Sequence, residues 1–236
     1  MIKEKDFIEI EYTGKIKETN EVFDTTDEEI AKKNNIYIEN AEYKPIIICV
    51  GKRQIIKGLD KSLINKEVGK KYIIEVKAEE AYGKRNAKLI QLISTSKFIK
   101  QNVQPIPGLQ VEIDGIRGQI KTVSGGRTIV DFNHPLAGKD LVYEIKINRI
   151  VKEDKEKIAT ILKLDLNIKD ADISIEEGKA KIFTKEEIPE ELRKALKDKI
   201  KELIPTIKEV EFTIQKEVKK RENLNMSGNI NKTKGG

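Results

Sequence analysis

Tryptophan is absent from this 236-residue chain, and histidine and cysteine occur once each. A single histidine, His134, excludes a His-paired nucleophile, a two-histidine metal centre and a histidine-rich metal tail. A single cysteine excludes an internal disulfide. Cys49 lies in the apolar run PIIICV and reads as a buried thiol acting as a small hydrophobe. Neither GxxxxGK[ST] nor GxGxxG precedes a helix, and the lone GGR is a turn rather than a phosphate cradle. No run of about 18 apolar residues occurs, so no membrane-spanning helix is expected. The start, MIKEKDFIEIEY, enters a strand without an apolar signal segment, and the expected location is cytoplasmic. A strong charge of one sign is also missing. Lys+Arg 46 against Asp+Glu 40 leaves +6, and the two signs read as interleaved, so nucleic acid is not expected as a primary partner. The carboxylates fall in mixed-sign runs, and no pair stands out for acid/base work. Hydrolase, kinase and metalloenzyme chemistry find no support here, and no cofactor is expected.

What is present is 38% hydrophobic residues, enough for a core, under a surface fed by 36% charged residues. FIEIEY alternates strictly, placing Ile8, Ile10 and Tyr12 on one face. Gly14 and the Asn20 region then read as a turn, VFDTT follows, and residues 26–44 read as a long polar loop with a short helix. PIIICVG reads as a strand inside a sheet. IIKGLDKSLINKEVGKK reads as a short helix with Leu59, Leu63 and Ile64 on its apolar side. KYIIEVKA is a strand that faces Tyr72, Ile74, Val76 and Ala78 one way and is closed by Tyr82 and Gly83. The pattern then breaks. Residues 84–133 read as a small all-β block punctuated by the hairpin pairs Asp114-Gly115 and Gly125-Gly126. LVYEIKINRI restores the alternation, as though one long strand resumed after an interruption. Beyond it come a helix in EDKEKIATILKLDL, a hairpin around Glu177-Gly178 and a second helix. That helix starts at Pro189 and carries Leu192, Leu196, Ile200 and Leu203 as its stripe. EVEFTIQKEV reads as a final strand.

The remaining candidates for chemistry are aromatics and one carboxylate near strand ends: Tyr12, Phe23 with Asp24, Tyr82 and Tyr143. Taken singly, each fits core packing, and Asp24 before Thr25-Thr26 fits an Asx-type turn equally well. As an ordered set they carry more. VFDTT, VGKRQIIKGLDKSLINKEVGKKY, EEAYG and LVYEIKI, in that order and spacing, resemble the FK506-binding protein (FKBP) family of peptidyl-prolyl cis-trans isomerases. The matching blocks cover most of residues 7 to 83 and 134 to 150. The interruption, and the NHPLAG that ends it, are similar to SlyD-like members with an inserted chaperone domain in the flap. The last third resembles the C-terminal extension of long archaeal FKBPs.

The resemblance implies an α+β fold, with an antiparallel sheet wrapped on a short helix, an inserted small all-β domain and a C-terminal α-β-β-α-β domain. The implied divisions are 1–83 with 134–152 for the isomerase domain, 84–133 for the insert, 153–222 for the C-terminal domain and 223–236 for a disordered tail. It implies Asp24 and Tyr82 as catalytic residues. Tyr12, Phe23, Ile46, Ile48, Ile55, Ile56, Leu59 and Tyr143 would line the prolyl pocket, with Leu136 as a further apolar wall. Leu59 stands where many members place a tryptophan, and Ile46 and Ile48 replace frequent aromatics, which implies weak macrolide binding. The implied activity is peptidyl-prolyl isomerisation with chaperone action. The alternative is a peptide-binding holdase with little or no isomerase activity. The implied partners are unfolded or proline-containing polypeptides, and a second copy through the C-terminal domain.

Overall fold

The computed structural model describes residues 1–214. The tail reading for 223–236 and the last residues of the C-terminal domain, 215–222, lie outside the described residues. The chain forms two compact units, Met1–Val151 and Lys152–Gly236.

The first unit runs β1 (Phe7–Ile16), β2 (Val22–Thr25), α1 (Glu28–Lys33), β3 (Ile46–Cys49), α2 (Lys57–Ser62), β4 (Lys71–Val76), β5 (Ile90–Ser94), α3 (Thr95–Lys100), β6 (Gln110–Ile113), β7 (Ile116–Ser124), β8 (Arg127–Asp131) and β9 (Leu141–Ile150). Five of these strands form an antiparallel sheet in the order β2-β1-β9-β4, with β3 also paired to β1. Alternation sets its inner face. Ile8, Ile10, Ile145 and Ile147 bury completely or nearly so, while Glu9 on the outer face binds Arg149 across the ladder at 2.7 Å. The short helix α2 turns Leu59 into this core and Leu63 follows at its C-cap, but Ile64 is 37% exposed and lies outside the apolar side expected for it.

Two sequence expectations shift in this sheet. Gly14 is not a turn residue, since β1 continues to Ile16 and the chain reverses afterwards. A Cβ at position 14 would lie 2.7 Å from Phe23 Cζ and 3.0 Å from Tyr143 Cε1, so glycine there makes room for two rings. Tyr82 does not close a strand. β4 stops at Val76, a 3₁₀ turn follows at Ala78–Glu80, and Tyr82 stands in the turn beyond it.

Residues 90–131 build a separate four-stranded sheet, β5-β8-β7-β6, around Phe98, Ile120 and Val130. It is not purely β, because α3 supplies Phe98 to its core. Asp114-Gly115 and Gly125-Gly126 form its two-residue hairpins with all four φ angles positive, as the primed turns require. The chain leaves for this sheet and returns side by side. Asn86 N–H donates to Asn133 Oδ1 at 2.8 Å, and Asn133 Nδ2 donates back to Asn86 O at 3.1 Å. Beside them Arg85 pairs with the buried Asp131.

The second unit runs α4 (Asp154–Leu166), β10 (Asp172–Glu176), β11 (Lys179–Thr184), α5 (Glu190–Leu203) and β12 (Glu209–Ile214). Its sheet is mixed, with β10–β11 antiparallel and β11–β12 parallel across the α5 crossover. On α5, Leu196, Ile200 and Leu203 are buried, but Leu192 is 44% exposed and falls outside the stripe expected for it.

Candidate active site

Every edge of the first sheet that meets α2 contributes to one cleft of about 450 Å³. β1 supplies Tyr12, β2 Asp24, β3 Ile46 and β9 Tyr143. The segment entering α2 supplies Gln54, Ile55 and Ile56, the helix itself supplies Leu59, and the turn after β4 supplies Ala81 and Tyr82. Of two larger hollows, one of about 720 Å³ in the second unit is lined mainly by lysines and glutamates, and one of about 800 Å³ on the first sheet mixes Tyr12, Tyr43, Tyr72 and three isoleucines with eight charged residues.

The structure thus brings together eight of the residues singled out in the sequence. Three others stand behind the lining. Phe23 meets Tyr143 edge-on with ring centroids 5.9 Å apart, while Ile48 and Leu136 sit in the core cluster beneath. Gln54 and Ala81 line the cleft without having been anticipated. A polar residue ahead of a helix and an alanine ahead of a tyrosine carry no signal of their own, although both adjoin residues that did.

Local pairing fixes Asp24 and Tyr12. Register sets Asp24 opposite Gly14, and Tyr12 is tied to Thr26 through N–H to Oγ1 at 2.9 Å and C=O to N–H at 3.0 Å. Tyr12 Oη then donates to Asp24 Oδ2 at 2.7 Å. Among the described residues that carboxylate takes no backbone N–H, so Asp24 forms no Asx turn and faces the cleft from β2. Behind the cleft, the buried Asp60 accepts from Gly51 N–H and Arg53 N–H, each at 2.9 Å. Gln54 Oε1 accepts from Cys49 N–H at 2.6 Å. Both Gly51 and Arg53 have positive φ, and these side-chain bonds hold that turn in shape ahead of Ile55 and Ile56.

Tyr82 is 37% exposed at the rim, and its ring stacks on His134 with centroids 4.2 Å apart and planes 4° from parallel. His134 Nδ1 accepts from Leu136 N–H at 3.1 Å, so the returning chain holds the imidazole against the departing one. The Tyr82 hydroxyl has no hydrogen-bond partner among the described residues. Desolvation, and then the Asp24 charge, raise the Tyr82 phenol above its ordinary range. Tyr12 and Tyr143 are raised further, again by burial first. All three remain protonated near neutrality. The cleft therefore offers apolar walls, neutral phenol donors and one carboxylate already engaged by Tyr12. Among the described residues no cluster of metal-ligating side chains occurs.

Comparison with known proteins gives a consistent picture. A family model described as the IF domain of FKBP26 matches residues 91–136. A short-type peptidyl-prolyl cis-trans isomerase of Methanocaldococcus jannaschii is 34% identical over 156 residues, covering 66% of this chain and 98% of that protein. The FKBP-type 16 kDa peptidyl-prolyl cis-trans isomerase of Escherichia coli is 30% identical over 111 residues, 45% of this chain and 74% of its own length. The FKBP-type isomerase SlyD of Helicobacter pylori is 28% identical over 130 residues, 53% of this chain and 69% of its own.

Proposed function

The chain belongs to the FKBP-type peptidyl-prolyl cis-trans isomerases, and from that membership we propose that the cleft between Tyr12 and Tyr82 is where the X–Pro bond turns. Rotating a peptide bond breaks amide resonance against a barrier of about 18–20 kcal/mol, and no covalent bond has to be cut. In the twisted form the nitrogen is pyramidal and the carbonyl more ketone-like, with less charge separation than the planar amide. Walls of Ile46, Ile55, Ile56 and Leu59 disfavour the polar planar form relative to the twisted one. Contacts that strengthen only in the twisted geometry lower the barrier. Tyr82 donates its unengaged hydroxyl to a substrate carbonyl, which holds one side of the peptide while the other turns. Asp24, oriented by Tyr12, acts electrostatically on the rotating carbonyl and transfers no proton.

The observation that carries this reading is the unengaged Tyr82 phenol at the rim of a cleft walled by Ile46, Ile55, Ile56 and Leu59. Cis/trans exchange of a proline tetrapeptide, followed by NMR, tests it. Tyr82→Phe is expected to lower kcat/KM by roughly 5- to 30-fold, the loss of one hydrogen bond worth about 1–2 kcal/mol. Asp24→Ala should lower it as well, with melting temperature little changed. Wild-type rates in both variants would remove these residues from the site.

The match of residues 91–136 to an IF domain supports a second activity for the insert, binding unfolded polypeptide and raising its local concentration near the cleft. The insert exposes the apolar side chains this requires, with Leu92 of β5 at 60% and Ile99 of α3 at 62%.

A further inference from the structure

The chain's modest basic excess is not spread evenly, although the two signs interleave along the sequence. Residues 84–133 hold eight lysines and arginines against three acidic residues, while the rest of the sequence is close to balanced. Ion pairing sharpens the contrast. Lys84 pairs with Glu79 at 3.1 Å, Arg85 with Asp131 and Arg117 with Glu112 at 3.5 Å. Among the described residues no ion pair engages Lys88, Lys97, Lys100, Lys121 or Arg127.

Topology places these charges unequally. Glu112 and the turn residue Asp114 belong to β6 and its hairpin, at one edge of the sheet. β5 is the opposite edge. Lys88 stands two residues before Ile90, the first residue of β5, and Arg127 lies in register with Ser94, its last. Between them Ile90 and Leu92 project on one face at 40% and 60% exposure, with the half-buried Ile129 in register beside Leu92. The free edge is thus an apolar strip about 20 Å long with an unpaired cation at each end.

Resting on the reading of the insert as the client-binding part, we propose that the β5 edge selects extended polypeptide segments with apolar residues at alternate positions and acidic residues at their ends. Backbone pairing along β5 is blind to sequence, the apolar strip asks for alternation, and the two cations discriminate by charge. A nucleic acid would satisfy the cations but would leave Ile90 and Leu92 facing a polar backbone.

Labelled peptides sharing one alternating Val/Leu core, flanked by Glu, Gln or Lys, test this on the full-length protein by fluorescence anisotropy. The Glu-flanked peptide is expected to bind about tenfold more tightly than the Lys-flanked one at low salt, with the gap closing as salt is added. Lys88→Glu with Arg127→Glu should invert the order. Lys88→Gln with Arg127→Gln should erase it, which covers the case where the double reversal fails to fold. Tetrapeptide isomerisation stays near wild type in each folded variant. Equal affinity for all three peptides, with aggregation suppression intact, would overturn the charge selection and leave the client-binding reading standing. No peptide binding and no aggregation suppression would overturn that underlying reading too. Displacement of every peptide by a random oligonucleotide that binds more tightly would overturn the proposal in favour of nucleic acid.

Discussion

At position 14 one added carbon would meet the Phe23 ring, so the aromatic wall of the cleft exists because a strand residue has no side chain. A single glycine in sequence is indistinguishable from a turn signal, and only the cross-strand register shows what it accommodates. His134 is a similar case. As the lone histidine it ruled out several chemistries, but nothing in its neighbourhood announced the stack on Tyr82. Two substitutions separate its contacts. His134→Phe keeps a flat ring for Tyr82 and loses the acceptor for Leu136 N–H, whereas His134→Asn keeps an acceptor and loses the ring. If the stack positions the phenol, His134→Asn lowers kcat/KM several-fold with KM little altered, and His134→Phe restores most of it. Equal effects from the two would assign His134 to loop structure instead.

Between β3 and α2 the chain makes a strained turn whose shape depends on one buried carboxylate. Asp60→Ala strands two backbone N–H groups and should cost about 2–4 kcal/mol of stability by urea denaturation. Because that turn delivers Ile55 and Ile56, KM for the tetrapeptide should rise more than kcat falls, with Asp60→Asn intermediate. An unchanged KM would separate the turn from the cleft. Elements of this kind mark the limit of what a sequence shows. Strict alternation identified the strands around Ile8, Tyr72 and Ile145, and the ordered FKBP-like blocks picked out eight cleft residues, because periodicity and spacing are local. The bond from Gly51 N–H to Asp60, the helix α3 inside a block read as all-β, and the exposure of Leu192 depend on backbone shape or on packing. Local pattern is silent on these.

At the scale of the whole chain, no helix among the described residues is long and apolar enough to cross a membrane, and the net charge is concentrated in one segment. The join between that segment and the first sheet should respond to acid. Burial pushes the Asp131 carboxyl up, but hydrogen bonds from Asn133 and the Arg85 guanidinium outweigh it and hold the group below its ordinary 3.8. A depressed folded-state value stabilises above the unfolded value and loses that contribution as pH falls through the folded one. Thermal melts should therefore be insensitive to this group between pH 5 and 7, by the reference range for carboxylates of roughly 4, and decline below it. Asp131→Asn should melt lower at neutral pH and show a shallower acid decline. An identical acid profile would exclude the Arg85–Asp131 pair. The same join has a kinetic meaning. β4 and β9 are neighbours in the sheet but are separated by the entire insert, so a nascent chain must close a long loop before they pair. An insert that folds first on its own short-range hairpins, with Asn86 and Asn133 already side by side, removes most of that loop. Shortening it by about two doublings lowers the closure cost by about 1.2 kcal/mol, so an insert that folds first offsets most of the delay its own length imposes on the sheet.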